Sequence, residues 1–204
     1  MGRRVATVIV LAGPNGAGKS TTAPSLLKGT LAVREFVNPD PIAQGLSGFR
    51  PNHVALAAGR IMLDRLHELA RLRADFAFET TLASRSYAPW LRELRKAGYR
   101  VHLIFLWLPS ADVAVARVRE RVRMGGHAVP EATIRRRYAA GLRNFFALYR
   151  PLADTWQVYD NSGSSTPRPI ARGRLGRITT VADQAVWNRI EGGVRRATEK
   201  NKGH

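Results

Sequence analysis

The stretch Thr7–Thr22, with the sequence TVIVLAGPNGAGKSTT, decides the fold of this chain. Its apolar first half predicts a β-strand over about Ala6–Ala12. Its second half matches the pattern Gly-x-x-x-x-Gly-Lys-Ser, which joins a strand to a helix. In such a loop, successive backbone N–H groups point inward and surround an anion at the positive end of the helix. The stretch therefore predicts a phosphate-binding loop that takes a nucleoside triphosphate.

The positions within this loop have separate predicted roles. Three glycines allow turns that a Cβ would hinder, and they let the backbone approach an anion closely. Lys19 is predicted to reach the β- and γ-phosphates of ATP, and the Ser20 hydroxyl is predicted to coordinate Mg²⁺. The predicted nucleotide-binding residues are Gly13, Asn15, Gly16, Ala17, Gly18, Lys19, Ser20 and Thr21.

Short apolar runs alternate with segments of helical spacing along the rest of the chain, which is typical of an α/β fold with a mostly parallel sheet. We expect the three-layer fold of P-loop NTPases, with helices on both faces of about five strands. Further strands are predicted at Glu35–Val37, Asp75–Thr81, Val101–Leu108 and Trp156–Tyr159. Helices are predicted from the loop's Gly-Lys-Ser onward and at Asn52–Leu72, Tyr87–Lys96, Ala111–Met124 and Glu131–Tyr149. Pro39 and Pro41 are predicted to stop regular structure.

The composition is strongly basic, with 33 Lys+Arg against 15 Asp+Glu and a formal net charge of +18. A surface of this kind attracts phosphates and nucleic acids and steers acidic substrates. An arginine bias of the source genome is an alternative cause, because only five of the 33 cations are lysines. The absence of cysteine excludes disulfides, thiolate nucleophiles and sulfur-bound zinc. No apolar run approaches the roughly 20 residues of a membrane span, so we expect a cytoplasmic protein with no membrane partner.

Candidate carboxylates follow the predicted strands, and ligands bind at the carboxyl ends of parallel strands. Asp40 is the leading candidate for the catalytic base that takes the proton of an acceptor hydroxyl, and it is also a candidate Mg²⁺ ligand. An Asx-turn at the Pro-Asp-Pro corner is the structural alternative. Glu79 is predicted to bind metal through water or to contact substrate hydroxyls, with Thr81 as a hydroxyl partner, although Glu79 could instead cap the turn. Asp160 and Asn161 end the last predicted strand.

Arginines flank the break at Gly125-Gly126-His127, and this arrangement predicts a mobile lid over the triphosphate. Arginine stabilises the charge that a phosphoryl group carries during transfer. We expect Arg121 and Arg136 to have this role, with Arg137 and Arg117 as the next choices and the other arginines solvated. Three valines between these arginines are expected to pack inward: Val115, Val118 and Val122.

Two classes of P-loop protein are excluded by missing motifs. An ABC transporter ATPase needs a Leu-Ser-Gly-Gly-Gln signature, and a GTPase needs Asn-Lys-x-Asp, neither of which is present. A kinase for a small molecule or a nucleotide remains. We therefore predict a P-loop kinase domain at residues 1–165, with a lid at about residues 117–137. Residues 166–204 are predicted to form a basic extension packed on or trailing from this domain, with one short helix near Asp183–Ile190.

The pattern resembles the zeta-toxin family of P-loop kinases, which is similar to chloramphenicol phosphotransferase. The resemblance is carried by Gly13–Thr21, Phe36–Asp40, Phe78–Ser84, the Arg117-Val118 and Arg121-Val122 pairs, Gly125–His127, Val129-Pro130, Ile134, Arg136–Tyr138 and Tyr159–Ser162. It implies ATP- and Mg²⁺-dependent phosphorylation, in the best-known members on the sugar 3′-hydroxyl of UDP-N-acetylglucosamine. It also implies that Asp40 is the base, that Glu79 and Thr81 contact the substrate, and that lid arginines bind phosphate.

The predicted function is a kinase that transfers the γ-phosphoryl group of ATP to a hydroxyl of a small metabolite, such as a nucleotide sugar. An ATP-dependent nucleic-acid-binding protein or polynucleotide kinase is the alternative that the basic surface keeps open. An antitoxin that covers the ATP site is a third prediction, concerning partners. Arg85 is predicted to touch an acidic substrate, with Arg50 or Tyr87 as the alternatives.

Overall fold

The computed structural model of the chain describes residues 5–25, 27, 33–47, 54–163 and 166–200. One seven-stranded sheet of order β2-β3-β1-β4-β5-β6-β7 runs through it. The strands are β1 Thr7–Ala12, β2 Glu35–Val37, β3 Phe76–Thr80, β4 Arg100–Trp107, β5 Thr155–Asp160, β6 Arg168–Arg174 and β7 Arg177–Val181. The first five pair in parallel, whereas β6 and β7 are antiparallel.

Helices lie on both faces of this sheet. They are α1 Lys19–Pro24, α2 Pro39–Leu46, α3 Ala55–Arg71, α4 Tyr87–Lys96, α5 Ala111–Arg123, α6 Glu131–Asn144, a π-helical turn Phe145–Tyr149, α7 Arg150–Leu152 and α8 Gln184–Lys200. Alternate residues of β1 enter different cores: Val8 and Val10 pack with α3, α4 and α8, whereas Ile9 and Leu11 pack with α1, α5 and α6. The three-layer α/β fold of P-loop NTPases is therefore confirmed. Within the described part of the chain, no helix is long and apolar enough to cross a membrane.

The central position of β1 brings the predicted site residues together. β1 pairs with β3 on one side and with β4 on the other, and Leu11 lies opposite Glu79 in the register with β3. The loop that follows β1 therefore begins beside the carboxyl end of β3. β2 pairs with β3 in the same direction, so its carboxyl end, followed by Asn38 and Asp40, lies at the same edge.

Three local predictions were wrong. Pro39 and Pro41 do not stop regular structure, because they lie in the first turn of α2, where a backbone N–H has no helical partner to lose. The α-helix predicted to reach Tyr149 ends at Asn144 and continues as the π-helical turn. Val122 is 38% exposed, whereas Val115 and Val118 are buried as predicted.

The segment after residue 165 adds two strands and a long helix, where the sequence predicted a basic extension with one short helix. Only Ile170, Ala171 and Gly173 of β6 are buried, so its apolar signal is weak. The register is irregular where β6 carries Pro169, so the strand accommodates this residue with a local shift. Seven strands rather than about five thus form the sheet, and α8 extends well beyond the predicted Ile190.

The packing of α8 predicts that this segment contributes to stability. Trp187 is 2% exposed and stacks on Trp156 of β5 with a centroid separation of 5.8 Å. We expect Trp187→Ala to lower the free energy of unfolding by about 3–5 kcal/mol, because it leaves a large cavity. Urea unfolding measures this, and Asn188→Ala on the exposed face of α8 is the matched control, with an expected change within about 0.5 kcal/mol. Equal stabilities of the two variants would mean that α8 only trails from the domain.

Candidate active site

The loop between β1 and α1 is wedged between the ends of two other strands. Gly13 has φ 143°, and a Cβ there would overlap the carbonyl oxygen of Leu106 in β4. Gly18 has φ 77°, and a Cβ there would lie 2.7 Å from Nδ2 of Asn161, just after β5. Residues with a side chain disfavour both conformations and would also clash. The glycines thus let the loop approach its neighbours closely.

The loop after β5 supports the phosphate-binding loop from one side. Nδ2 of Asn161 donates to the carbonyl oxygen of Ala17 at 2.7 Å. The Arg117 guanidinium donates to the carbonyl oxygens of Asn161 and Ser162, both at 2.6 Å, and of Gly163 at 3.2 Å. Arg117, a reserve choice as a phosphate ligand, is thus engaged by backbone carbonyls. Oδ1 of Asn15 is buried with no hydrogen-bond partner among the described residues.

Four polar side chains form a cluster at the start of α1. Oε2 of Glu79 accepts a hydrogen bond from the Ser20 hydroxyl at 2.7 Å and from Nδ2 of Asn38 at 2.9 Å. Nζ of Lys19 lies 3.5 Å from Oε1 of Glu79 and donates to the carbonyl oxygens of Gly13 and Pro14, both at 2.9 Å. The predicted residues Lys19, Ser20 and Glu79 are therefore in direct contact, at the carboxyl ends of β1 and β3. Thr21 is the next residue of α1 and is exposed.

The charge of Lys19 is held in an unfavourable environment. The side chain is buried, and this burial lowers the pKa of Lys19 below its usual value. The carboxylates of Glu79 and Asp40 act in the opposite direction, and the positive charge of Arg121 adds to the lowering. A buried ammonium group gains most from an anionic ligand that replaces its lost hydration. The electrostatics thus favour an anion at the tip of this side chain.

Asn38 is a functional candidate that the sequence analysis did not assign. Its Nδ2 group contacts Ser20 and Glu79, and its Oδ1 atom accepts the backbone N–H of Asp40 at 2.9 Å. It therefore caps α2 and holds the Glu79 carboxylate at the same time. The signal was the run Asn-Pro-Asp after a strand, which is typical of a helix start.

Asp40 lies in the first turn of α2 and is half-buried. Burial lowers the pKa of Lys19 and of Arg137, and the negative charge of Asp40 partly offsets this lowering, so Asp40 lies near the cluster and near α6. The Asx cap at this Pro-Asp-Pro corner is made by Asn38, whose side chain binds the Asp40 backbone. Asp40 is thus positioned as a charged group at the mouth of the site, and its role as a base stays a prediction.

The two preferred lid arginines occupy different environments. Arg121 is half-buried, acts electrostatically on Lys19 and donates to the carbonyl oxygen of His127 at 2.6 Å. Arg136 is exposed. Its neighbour Arg137 is half-buried, and its pKa is lowered by burial and by Arg136, with Asp40 acting in the opposite direction. The structure therefore brings Arg121 and Arg137 toward the cluster. Helical spacing alone did not distinguish Arg136 from Arg137.

The remaining predicted substrate residues lie beyond β3. Thr81 is half-buried, and its hydroxyl accepts the backbone N–H of Ala83 at 3.4 Å. Arg85 is exposed just before α4, and Tyr87 begins that helix with its hydroxyl 3.8 Å from the sulfur of Met62. Arg50 lies outside the described residues.

The residues present suit a metal that is shared with a substrate. Among the described residues, no group of three or more His, Cys, Asp or Glu side chains could hold a metal ion by itself. Mg²⁺ typically uses one or two protein groups together with substrate phosphates. A hydroxyl in contact with a carboxylate, as in Ser20 and Glu79, supplies the oxygen donors that this ion prefers. The site therefore fits Mg²⁺ only in the company of a phosphate ligand.

Solved structures with similar folds include a chain of the AvrRxo1-ORF1:AvrRxo1-ORF2 complex with ATP, which has a TM-score of 0.72 and 17% identity. That alignment covers 91% of this chain, which spans only 63% of the matched chain. A chain from the PezAT chromosomal toxin-antitoxin system of Streptococcus pneumoniae has a TM-score of 0.62 and 16% identity, with 98% of this chain and 88% of that chain covered. At these identities the likeness concerns the fold alone.

Sequence comparison gives a relative and a family. An uncharacterized protein of Haemophilus influenzae is 28% identical over 130 residues, which cover 64% of this chain and 91% of that protein. The family described as "AAA domain" matches residues 8–141, which begin in β1 and end in α6. The match spans the phosphate-binding loop, Asp40 after β2, Glu79 near the end of β3, and the predicted lid arginines. Because this match covers more than half of the chain, the chain belongs to the AAA domain family.

Proposed function

We propose that this protein is an ATP-dependent kinase that transfers the γ-phosphoryl group to a hydroxyl of a small metabolite. The observation that carries the proposal is the contact of Lys19 and Ser20 with Glu79, at the end of the glycine-rich loop and within the field of Asp40. A loop that only binds nucleotide would not need a second carboxylate at its mouth. Phosphoryl transfer to an alcohol does need one.

The proposed reaction assigns a task to each side chain. The acceptor oxygen forms a bond to the γ-phosphorus, the bond from that phosphorus to the bridging oxygen of ADP breaks, and the hydroxyl proton passes to Asp40. Lys19 leaves the carbonyl oxygens of the loop and donates to the phosphates. Arg121, with Arg137 or Arg136, balances the charge on the moving phosphoryl group.

Mg²⁺, bound with the phosphates, would neutralise part of the triphosphate charge. Ser20 is the proposed protein ligand, with Asp40 as the second predicted one. Glu79 already accepts a hydrogen bond from the Ser20 hydroxyl at 2.7 Å, so it can hold that hydroxyl with its lone pairs free for the ion. Asn38 would keep Glu79 in place while Ser20 binds the ion and Lys19 moves to the phosphates.

The acceptor is proposed to be acidic, and a nucleotide sugar such as UDP-N-acetylglucosamine is the first compound to test. The net charge of +18 steers anions toward the molecule. The zeta-toxin-like motifs and the fold likeness to toxin–antitoxin chains support the same choice. They also support an antitoxin-like protein partner that would cover the ATP site.

The experiment that tests the function uses γ-labelled ATP with Mg²⁺ and a panel of nucleotide sugars and small alcohols. We expect one acceptor class to gain a phosphate, with a mass increase seen by mass spectrometry and matching ADP release. Calorimetry with ATP and Mg²⁺ is run beside it. Nucleotide binding without transfer to any acceptor would limit the protein to binding, and no binding at all would refute the proposal.

A nucleic-acid substrate is the second candidate, favoured by one feature of the surface. Arg172, Arg174 and Arg177 are exposed on β6 and β7, and the sequence from residue 161 to residue 182 contains no acidic residue. Binding through such contacts weakens steeply with salt. Single-stranded RNA and DNA ends therefore belong in the acceptor panel at physiological salt. Loss of all RNA and DNA binding under those conditions excludes this candidate.

A further inference from the structure

The inference concerns α6, the helix that carries Arg136 and Arg137, and the five-residue segment Thr80–Ser84 that follows Glu79, called here the acceptor loop. It rests on the proposed function. Arg137, Gly141 and Asn144 are spaced by four and three residues, so they share one face of α6. Arg137 is close enough to Asp40 to interact with its charge, whereas the other two residues meet the acceptor loop. One rigid helix thus contacts two separate parts of the site.

The contact between α6 and the acceptor loop is specific and close. Nδ2 of Asn144 donates to the carbonyl oxygens of Leu82 and Ala83, at 2.8 and 3.1 Å. A Cβ at Gly141 would overlap the carbonyl oxygen of Thr81, so the helix backbone lies directly on the loop. The Tyr149 hydroxyl adds a bond of 2.6 Å to the carbonyl oxygen of Ser84. The loop is therefore fastened along its length by α6 and the π-helical turn.

The acceptor loop needs this support because its backbone is unusual. Leu82 is buried and has φ 56°, in the left-handed region that residues other than glycine rarely adopt. Two hydroxyls of the loop cap its own amides: Thr80 accepts from the N–H of Leu82, and Thr81 accepts from that of Ala83. Such strain persists only where the surroundings over-determine the conformation. The carbonyls held by Asn144 are part of those surroundings.

The first half of α6 is fixed to the central sheet. The Tyr138 hydroxyl donates to the carbonyl oxygen of Leu108, just after β4, at 2.8 Å. Burial raises the pKa of Tyr138 to about 12, so this donor stays protonated at neutral pH. Ile134 packs into the core beside α5. These contacts fix the position of α6 relative to the ends of the strands. Because α6 also contacts the acceptor loop, it fixes the position of that loop as well.

We propose that Asn144 is a positioning residue, and that α6 sets the separation of Glu79 and Thr81 from Arg137 and Asp40. It would thereby align the acceptor hydroxyl with the phosphoryl group. Asn144 lies on the acceptor loop side of the helix and acts through the loop, without touching the substrate. This arrangement links Arg137 to the binding of the acceptor through α6. A change at Asn144 should therefore lower acceptor turnover and leave ATP affinity unchanged.

The test uses Asn144→Leu, which keeps the side-chain size and removes both donated hydrogen bonds. Displacement of reacting groups by about 1 Å costs on the order of 100-fold in rate. With the acceptor found in the panel above, we expect a tenfold or larger loss in kcat/KM for the acceptor and an ATP Kd within twofold of the unchanged protein. Asn144→Gln, which retains the donor group, is expected to restore part of this loss. Asn188→Leu on α8 is the matched control and should leave both constants unchanged.

Hydrogen exchange provides a readout that does not depend on finding an acceptor. The amides of Leu82, Ala83 and Ser86 are bonded to hydroxyls of the same segment, so they report on its order. We expect Asn144→Leu to speed their exchange about tenfold, and to leave the amides of β1 unchanged. Unchanged exchange of the acceptor loop overturns the inference even if the protein is a kinase. Failure of the unchanged protein to phosphorylate any acceptor refutes the proposed function alone. Parallel losses in ATP affinity and acceptor turnover would show a general structural role instead.

Discussion

Replacing Asp40 with Asn is expected to lower the rate of phosphoryl transfer by about 10²–10⁴-fold, the usual contribution of a general base. An amide has nearly the shape of the carboxylate but cannot take the proton of the acceptor hydroxyl. The cap of α2 should survive, because Asn38 binds the backbone N–H of residue 40 and not its side chain. The loss therefore concerns chemistry, and the local fold should be unchanged.

ATP binding measured without Mg²⁺, where the predicted role of Asp40 as a metal ligand does not contribute, should be kept in this variant or become tighter. The Asp40 carboxylate interacts with the charges of Lys19 and Arg137, two of the cations proposed to bind the phosphates. Removing its negative charge leaves those cations more available to the triphosphate. Opposite effects on transfer and on nucleotide binding would distinguish a base from a residue that merely holds the nucleotide.

The measurement is single-turnover transfer from γ-labelled ATP, with calorimetry for ATP affinity. Asp64→Asn is the matched control, since it makes the same chemical change at an exposed position of α3. The control should transfer at the unchanged rate. An Asp40→Asn protein that binds ATP and transfers phosphate at full rate would refute the assignment of Asp40 as the base.

The phosphate-binding loop was predictable because its chemistry is local. Glycines at fixed spacing, a lysine and a serine are dictated by the anion that the backbone must surround. Parallel pairing brings the ends of β1, β2 and β3 to one edge, so Asp40 and Glu79 could be placed near the loop from their positions at the carboxyl ends of predicted parallel strands. Their closeness to Lys19 follows from this topology.

Other parts of the site were less accessible because they depend on contacts distant in sequence. Asn38 gains its role from Glu79, 41 residues away, and Asn144 meets Leu82 across 62 residues. Arg136 and Arg137 are adjacent on one helix, so only their burial and the interaction of Arg137 with the charge of Asp40 distinguish them.

The two extra strands were missed for a different reason. The exposed positions of β6 hold arginines, and its short apolar pair Ile170-Ala171 lies between a proline and Gly173. β6 lies next to the edge strand β7, and four of its seven residues are exposed, so packing constrains few of its side chains. Apolar periodicity is therefore a poor guide there, and the pairing with β5 decides the structure.

Replacing Lys19 with Met is expected to abolish most nucleotide binding and to lower transfer by at least the 10²–10³-fold typical of a single stabilising donor in a transition state. Nζ of Lys19 donates to the carbonyl oxygens of Gly13 and Pro14 inside the loop, and its side chain is buried there. Methionine fills nearly the same volume and offers no donor to a phosphate. The anion would lose a buried cation at the centre of its site.

The fold itself should tolerate this change. Burial already lowers the pKa of Lys19, so the native state bears a cost for holding this charge, and a neutral side chain removes that cost. Glu79 loses a partner at 3.5 Å but keeps the hydrogen bonds from Ser20 and Asn38. Thermal unfolding without nucleotide should therefore show a folded, cooperative protein.

Ligand-induced stabilisation separates the two effects. At an ATP concentration 100 times the Kd, a binding-competent protein gains about 2.7 kcal/mol of stability, which raises its melting temperature. We expect this gain for the unchanged protein and for Lys96→Met, an exposed control on α4, and none for Lys19→Met. Lys19 must be charged to bind phosphate, and it loses its charge as the pH rises. Because burial lowers the pKa of Lys19, ATP affinity should begin to fall, on raising the pH, at a lower pH than it would for an ordinary lysine. Equal stabilisation of all three proteins by ATP would refute the assignment of Lys19, and of the glycine-rich loop, to the nucleotide site.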